Sequence, residues 1–298
     1  MTITGSLGNI GRELASQLIA KGHQVTVVSH SPGRAEAISA LGAKPAIGSI
    51  EDANFLANAF AGAGAVFLMI PPRLDAVDTR GYMRSVADAY FAALSRSGVR
   101  YVVNLSSIGA HIPGGPGPTG TNFLIEEQLN ALIGVNILHL RPGLFYTNFY
   151  GSIPVIRHQR VLGNNFGAAT PMLMTDPRDI AEEAARTMDQ LDFSGKTVRY
   201  VVSDEKNGGE VAGLLGRAIG QPGLSWIHLS DEDLLNGLVA SGMSRDAAEV
   251  YVVGIGAGLR EQILFDDYRQ GGHRVLGKIR FEDFLREFAE VYAREKNG

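Results

Sequence analysis

Short apolar runs alternate with amphipathic stretches through the first 140 residues. The apolar runs predict strands over Met1–Thr4, Gln24–Ser29, Pro45–Ile47, Ala65–Ile70, Tyr101–Leu105 and Asn136–Leu140. The stretches between them predict helices over Ile10–Lys21, Gly33–Leu41, Ala53–Phe60, Tyr82–Ser97 and Thr121–Leu132. Because several of these strands are apolar on both faces, they belong in a parallel sheet that helices cover on both sides.

The pattern changes after Pro142. Residues 144–174 read as irregular, and a helix over Asp176–Met188 and a strand over Thr197–Ser203 follow them. Further helices are predicted over Glu210–Ile219, Asp231–Ser241, Arg245–Tyr268 and Phe281–Glu295. We therefore predict an α/β protein with a Rossmann-type doubly wound parallel sheet in residues 1–150, completed by about 176–203. Residues 151–175 and 204–298 would form a smaller, mainly helical C-terminal lobe on the substrate side.

A glycine-rich segment joins the first predicted strand to the first predicted helix. It reads Gly5-Ser6-Leu7-Gly8-Asn9-Ile10-Gly11 and has the spacing G-x-x-G-x-x-G. Glycine permits a tight turn and lets main-chain N–H groups approach a pyrophosphate, and the helix N-terminus adds unpaired donors. Glycines also make plain turns, but the position at the start of a β-α-β unit favours dinucleotide binding. The cofactor-binding residues predicted here are Gly5, Ser6, Gly8, Asn9, Ile10 and Gly11.

The residues after the second predicted strand bear on the choice of dinucleotide. NAD sites usually place Asp or Glu there for the ribose 2′-hydroxyl, but no carboxylate lies between Glu13 and Glu36. Hydroxyls, a histidine and an arginine stand there instead and suit a 2′-phosphate, although a solvated polar loop is the alternative. We therefore predict NADP(H) as the cofactor. Its further predicted contacts are Ser29, His30, Ser31, Arg34, Ser49, Ile50, Ile70 and Pro71.

Three residues are candidates at the nicotinamide end. Ser106 follows the fifth strand at its carboxyl end, where ligands bind in such sheets, and either contacts substrate or cofactor or caps a turn. His111 lies in the Gly- and Pro-rich loop 108–120, which has the length of a lid, and is either a proton donor or a solvated side chain. Tyr146 belongs to an aromatic segment that either lines a pocket for a flat apolar substrate or packs between the lobes.

Composition excludes several classes of function. The net charge of −4 gives no basic surface for nucleic acid, and the absence of cysteine removes disulfides, thiolate zinc sites and cysteine nucleophiles. The seven histidines show no paired spacing, so we predict no metal site. No apolar run reaches the roughly 18 residues that span a membrane. We expect a cytoplasmic protein that binds a small-molecule substrate, without nucleic-acid or membrane partners.

The chain resembles the NmrA-like group of atypical short-chain dehydrogenases/reductases. The resemblance lies in Thr4–Gly11, Ala65–Pro72, Gly98–Ala110, Leu140–Phe149 and Val198–Glu205, so it extends over nearly the whole chain. It implies a Rossmann fold and NADP(H), and a function among quinone and triphenylmethane-dye reductases, isoflavone-reductase-like enzymes or NADP-sensing regulators.

The chain departs from the short-chain dehydrogenase pattern in its proton-relay residues. It lacks Tyr-x-x-x-Lys, because no lysine lies between Lys44 and Lys196. Many NmrA-like reductases carry a lysine or histidine four residues before a helix glutamate resembling Glu127, where this chain has Phe123 with Asn122 beside it.

Two functions therefore stay open. The first is hydride transfer from NADPH to a small apolar electrophile such as a quinone or conjugated carbonyl, with the cofactor carrying the chemistry. The second is a non-catalytic NADP(H)-sensing regulator that binds a partner protein, which the missing Tyr-x-x-x-Lys favours. An epimerase-like enzyme is a third possibility that the same missing pair weakens.

Overall fold

Thirteen strands and thirteen α-helices are found in the computed structural model, which describes residues 1–294. The strands are β1 Thr2–Ile3, β2 Thr26–Ser29, β3 Lys44–Ile47, β4 Val66–Leu68, β5 Tyr101–Leu105, β6 Asn136–Pro142, β7 Leu144–Phe145, β8 Val161–Asn164, β9 Pro171–Thr175, β10 Lys196–Val202, β11 Asp204–Asn207, β12 Ser225–His228 and β13 His273–Leu276. The α-helices are α1 Gly11–Ala20, α2 Ala35–Ala40, α3 Ala53–Phe60, α4 Thr79–Ser97, α5 Thr119–Asn130, α6 Ile153–Gln159, α7 Pro177–Gln190, α8 Gly208–Ala218, α9 Asp231–Ala240, α10 Arg245–Ala248, α11 Gly254–Arg260, α12 Asp266–Gln270 and α13 Phe281–Arg294.

Eight of the strands form one parallel sheet in the order β13-β10-β6-β5-β4-β1-β2-β3. Strand order reverses between β1 and β4, where Thr2 pairs with Thr26 on one side and Val66 on the other. The connections leave a crevice outside the carboxyl ends of the strands at such a reversal, and ligands bind there. The predicted doubly wound sheet is confirmed, and its switch point lies beside the glycine-rich segment.

Alternate residues of the strands pack into two hydrophobic cores, one on each face of the sheet. On one face, Val103 and Leu138 pack with residues of α1 and α7 such as Leu14 and Ile180. On the other face, Val102 and Ile137 pack with residues of α3, α4 and α5. Helices cover both faces of every central strand. The polar groups of the sheet that stay accessible to a ligand are therefore those at the ends of the strands.

The C-terminal region differs from its prediction in several places. The helix predicted over Arg245–Tyr268 is divided into α10, a π-helical turn at Glu249–Val253, α11, a 3-10 turn at Ile263–Phe265 and α12. Gln262 has a φ of +60°, a left-handed conformation that cannot continue a helix. Helix α13 ends at Arg294 within the described residues, and Glu295 of its predicted range lies outside them.

Further strands appear where none was predicted. Residues 144–174, which read as irregular, contain β7, β8, β9 and α6. Strand β13 joins the main sheet in parallel beside β10, with Tyr200 opposite Arg274, so the C-terminal region contributes to the sheet that residues 176–203 were predicted to complete. The short strand is only partly buried at the sheet's edge, and such a strand carries little hydrophobic periodicity.

A buried histidine lies between β5, β6 and α5 and makes stability depend on pH. His139 contacts the Asn104 side chain through Nδ1 at 3.1 Å and the Asn130 side chain through Nε2 at 3.0 Å. Burial lowers the pKa of His139 from 6.5 to about 4. The folded-state pKa is depressed, so the stability that neutral His139 provides is complete above pH 6.5 and is lost as pH falls toward 4.

We expect the free energy of unfolding to fall by about 3 kcal/mol across that window on account of this residue. The measurement is urea unfolding of the wild type and His139→Gln between pH 7.5 and 4. Because carboxylates titrate in the same window in both proteins, the difference between the two curves isolates His139. Parallel curves would contradict the assignment.

Candidate active site

The glycine-rich segment follows β1 and opens α1 with a conformation that only glycine tolerates at two positions. Gly5 has a φ of +92°, and a Cβ there would lie 2.2 Å from the Met69 sulfur. A Cβ on Gly11 would lie 2.2 Å from the Ser6 carbonyl oxygen. Gly8 is different, since the nearest atom to a Cβ there is the Gly5 carbonyl oxygen at 3.4 Å. Gly5 and Gly11 thus set the loop shape, while Gly8 keeps its exposed surface open.

The same segment presents main-chain donors. Among residues 1–294, none accepts a hydrogen bond from the N–H groups of Gly8, Asn9 or Ile10. These groups precede α1, whose N-terminus carries a partial positive charge. Unpaired N–H groups at a helix N-terminus fit the pyrophosphate of a dinucleotide.

Hydroxyls link the glycine-rich segment to the end of β2. The buried Ser29 accepts hydrogen bonds from the Ser31 N–H at 3.3 Å and from the Ser6 hydroxyl at 3.1 Å. Ser29 therefore fixes the two loops against each other and keeps one O–H to donate. His30 and Arg34 are exposed beyond it, and Arg34 lies in the 3-10 turn Pro32–Arg34 with no carboxylate within 4.0 Å in the part of the chain that the structure describes.

The ends of β3 and β4 place the remaining predicted contacts. Ser49 is exposed, and its hydroxyl accepts from the Glu51 N–H at 3.1 Å. Ile50 and Ile70 are half-buried against the core under α3 and α4. The Pro71 carbonyl accepts a hydrogen bond from Tyr82 at 3.1 Å. All four lie on the carboxyl edge of the sheet, on either side of the segment after β1.

Ser106 lies after β5 and belongs to a buried charged cluster. Its hydroxyl donates to Glu126 Oε1 from α5. Arg141, in β6, pairs with both oxygens of Glu126, through Nε at 3.0 Å and Nη2 at 2.5 Å. The side chains of Arg141 and Glu126 are only 8% and 5% exposed, so this two-pronged pair lies in a medium of low polarity.

The cluster continues into the C-terminal lobe. Arg141 Nη1 donates to the Tyr200 hydroxyl at 3.0 Å and lies 3.1 Å from Asp267 Oδ2, while the Tyr200 hydroxyl itself donates to Asp267. Burial and the hydrogen bond to Asp267 raise the pKa of Tyr200. Tyr200 is in β10 and Asp267 in α12, so the cluster joins the sheet, α5 and the C-terminal lobe beside Ser106.

Glu126, Arg141, Tyr200 and Asp267 were not predicted from the sequence. The glutamate that faces inward from α5 is Glu126, whereas Glu127 is exposed, so the residue four positions before the buried carboxylate is Asn122 rather than Phe123. A pattern in the sequence did point to the cluster. Arg141 directly follows the mainly apolar predicted strand Asn136–Leu140, and an arginine buried there requires an acidic partner.

His111 is half-buried in the loop 108–120. No residue in 1–294 hydrogen-bonds its buried Nδ1 atom. Burial lowers the pKa of His111, although the negative charge of Asp267 acts in the opposite direction. The loop is held from both sides: the Gly117 carbonyl accepts a hydrogen bond from Arg80 of α4 at 3.2 Å, and a Cβ on Gly117 would lie 2.7 Å from the Val250 carbonyl oxygen of the C-terminal lobe. In this conformation the loop is held in place rather than standing free as a lid.

Tyr146 is fully buried, unlike a residue that meets substrate. Its hydroxyl donates to the Ile279 carbonyl at 3.0 Å, and its ring packs edge-on to Phe281 with centroids 5.1 Å apart. Burial and the charge of Asp204 raise the pKa of Tyr146. The aromatic segment packs against α13 between the lobes, and Tyr146 is therefore left out of the site proposed below.

Two negative findings hold for the described residues. No cluster of three or more His, Asp or Glu side chains is suited to a metal ion in residues 1–294. None of the helices described there is both long and apolar enough to cross a membrane.

Comparison with known proteins gives the class of cofactor. Residues 5–132, from the glycine-rich segment to just after α5, match the family model described as NAD(P)H-binding. The chain therefore contains an NAD(P)H-binding domain over these residues, and NAD(P)H is its cofactor.

Relatives that match most or nearly all of the chain extend the comparison. The NAD(P)H azoreductase of Xenophilus azovorans is 24% identical over 247 residues, which are 83% of each chain. The NADPH-dependent quinone oxidoreductase of Escherichia coli, solved with NADPH, has a TM-score of 0.75 at 21% identity, with 99% of both chains covered. The triphenylmethane reductase of Citrobacter sp., solved with NADP(H), has a TM-score of 0.77 at 17% identity, covering 97% of this chain and 99% of that one. The predicted Rossmann fold, including its C-terminal lobe, is confirmed by this likeness.

Proposed function

We propose that this chain is an NADPH-dependent reductase that transfers hydride to a small, flat electrophile such as a quinone or a conjugated carbonyl. The observation that carries the proposal is the single edge of the sheet that holds both the N–H donors after β1 and the Ser106 cluster after β5. A dinucleotide bound by its pyrophosphate at the first would extend its nicotinamide half toward the second. The azoreductase, the quinone oxidoreductase and the triphenylmethane reductase to which the chain is similar support the same class of electrophile.

The residues of this chain bind and orient, and the bound cofactor supplies the hydride. Gly8, Asn9 and Ile10 hold the pyrophosphate through their N–H groups. Ser106 would lie on the nicotinamide side of the cofactor, with Glu126 and Arg141 fixing its hydroxyl. His111 in the adjoining loop is the other candidate proton donor, but burial lowers the pKa of His111 and so favours the neutral imidazole, which is a poor acid. His111 is therefore given no part in the proposed hydride transfer.

The experiment is loss of reduced-nicotinamide absorbance with NADPH, and separately NADH, against quinones, triarylmethyl dyes and enones. We expect turnover that is faster with NADPH. Gly8→Ala adds a methyl group facing the cofactor with little strain in the loop, and Gly64→Ala is its control, since a Cβ at Gly64 meets no atom within 4 Å. No turnover by a protein that binds NADPH tightly would instead support the second candidate, an NADP(H)-sensing regulator of a partner protein. The absence of Tyr-x-x-x-Lys favours that candidate.

We further propose that Arg34 selects NADPH over NADH by pairing with the 2′-phosphate. A guanidinium without a carboxylate partner nearby is available for a phosphate, which it binds through two parallel hydrogen bonds. Arg34→Ala should raise the Kd of NADPH about 10- to 100-fold, in line with about 1.5–3 kcal/mol for a charge-assisted hydrogen bond. The Kd of NADH should stay within about twofold, because NADH has no 2′-phosphate to lose.

Fluorescence titration of both nucleotides measures these constants. Arg100→Ala is the matched control, since Arg100 is exposed just before β5 at the opposite edge of the sheet. Equal losses for NADPH and NADH in Arg34→Ala would show that the residue does not read the 2′-phosphate.

A further inference from the structure

Ser106 has a single hydroxyl proton, and the structure shows which group accepts the hydrogen bond that it makes. The hydroxyl donates to Glu126 Oε1. The same carboxylate receives Nε of Arg141 on Oε1 and Nη2 on Oε2. A carboxylate held by a guanidinium on both oxygens accepts hydrogen bonds only and has no proton to return to the serine. Toward any ligand beside it, the Ser106 oxygen can therefore act only as a hydrogen-bond acceptor, through its lone pairs.

The arrangement is held from several elements and does not depend on Glu126 alone. Arg141 also bonds Tyr200 at 3.0 Å, Asp267 at 3.1 Å and the Ala110 carbonyl at 3.4 Å. Turning the guanidinium away would break these contacts and leave Glu126 buried without its partner, which is strongly unfavourable. The main-chain N–H of Ser106 donates to the Leu140 carbonyl at 2.8 Å, so the backbone of Ser106 is fixed as well.

We propose that Glu126 and Arg141 are positioning residues that hold Ser106 as a hydrogen-bond acceptor, and that this restricts the enzyme to electrophiles whose reduced form needs no proton from Ser106 during hydride transfer. The proposal rests on the reductase function proposed above and names its substrate class. An acceptor in this place suits the N–H and O–H donors of the nicotinamide half of NADPH. It cannot protonate a carbonyl oxygen as the substrate is reduced.

The electrophiles differ in whether their reduced form needs a proton. In each case the two electrons of the hydride form a new bond on the electrophile, and the cofactor leaves oxidised. A triarylmethyl cation gains a C–H bond and becomes neutral, so it needs no proton. A quinone becomes a hydroquinone monoanion, a phenolate-type base with a conjugate acid of pKa about 10, which water protonates afterwards. A simple ketone becomes an alkoxide nearly as basic as hydroxide, and it needs an acid in the same step.

The test measures kcat/KM for a triarylmethyl dye, a quinone and a simple ketone. Three proteins are compared: the wild type, Ser106→Ala, and a double variant that carries both Glu126→Leu and Arg141→Met. The double variant replaces both charges with apolar side chains of similar size, so that no buried charge is left unpaired. Glu127→Gln is the matched control, because Glu127 is the exposed neighbour of Glu126. NADP⁺ binding without any acceptor is measured by titration, and solvent deuterium isotope effects on kcat are measured with the dye and the quinone.

If Ser106 is an acceptor, Ser106→Ala should weaken NADP⁺ binding about 2- to 10-fold and lower kcat/KM for the three classes by similar factors. The isotope effects should be close to one. The double variant frees the Ser106 proton, so its ketone-to-quinone ratio of kcat/KM should rise about 10-fold over wild type, with Glu127→Gln unchanged. A ratio within one protein cancels any general loss of stability or of active enzyme.

Other results overturn the proposal. If Ser106 is a proton donor, Ser106→Ala should lose ketone reduction selectively, by about 100-fold or more, and keep the dye reaction. Unchanged NADP⁺ affinity in Ser106→Ala, or a double variant with the wild-type ratio, would likewise contradict it. Absence of turnover with all three classes, with NADP⁺ still bound, would instead remove the reductase function on which the proposal rests.

Discussion

Replacing Gly11 with alanine should raise the Kd of NADPH by about 100-fold or more, equivalent to about 2.7 kcal/mol of binding free energy. The added Cβ would lie 2.2 Å from the Ser6 carbonyl oxygen and 3.3 Å from its carbon, and both are main-chain atoms that no side-chain rotation can move. The segment after β1 must therefore change shape, and the N–H groups of Gly8, Asn9 and Ile10 lose their common direction. The measurement is fluorescence titration with NADPH, beside circular dichroism to verify the fold.

Gly64→Ala serves as the control for this variant, because Gly64 has open space around its Cβ position and lies at the far edge of the sheet before β4. Its Kd should match that of the wild type. A folded Gly11→Ala protein that binds NADPH within about threefold of wild type would contradict the role given to this segment as the phosphate site.

Replacing Arg141 with methionine should lower the free energy of unfolding by about 3–5 kcal/mol, the usual cost of breaking a buried ion pair at one end. Glu126, whose side chain is 5% exposed, would keep its charge without a partner, and Tyr200 would lose a donor at 3.0 Å. Adding Glu126→Leu to Arg141→Met should recover most of the loss, because the buried charge is then gone. Urea denaturation of the single and double variants measures both effects.

The exposed pair of Arg260 and Asp231 is the matched comparison. Its atoms lie 2.9 Å apart, but the two side chains are 38% and 50% exposed, so Arg260→Met should cost no more than about 1 kcal/mol. Equal losses of unfolding free energy in Arg141→Met and Arg260→Met would show that burial of the Arg141–Glu126 pair does not increase its contribution to stability.

The nucleotide half of the proposed site could be inferred from the sequence because its determinants are local. Gly5, Gly8 and Gly11 act through the conformation and size of their own residues, and the strand before them and helix after them are adjacent in the chain. The predicted positions of Ser29, Arg34, Ser49 and Pro71 follow from the same rule, since each comes directly after a strand of one parallel sheet.

Of the residues proposed for the nicotinamide half, the sequence pointed only to Ser106. Glu126, Arg141, Tyr200 and Asp267 come from four elements spread over more than 140 residues, and no spacing in the chain joins them. Tyr146 shows a different difficulty, because an aromatic residue after a strand is equally typical of a pocket and of a core. In the structure it packs against Phe281 and Phe284 of α13.

The alternation of strands and helices, the parallel sheet, the glycine-rich turn after β1 and the lack of a carboxylate after β2 all follow from the sequence. These depend on periodicity and on the backbone freedom of single residues, which are properties of neighbours in the chain. Only the folded structure reveals that Arg141 is paired with Glu126, that the Ser106 hydroxyl donates its hydrogen bond to Glu126, and that β13 joins the main sheet. These depend on which distant groups are buried together, because a charge removed from water must find its partner wherever the fold brings one within reach.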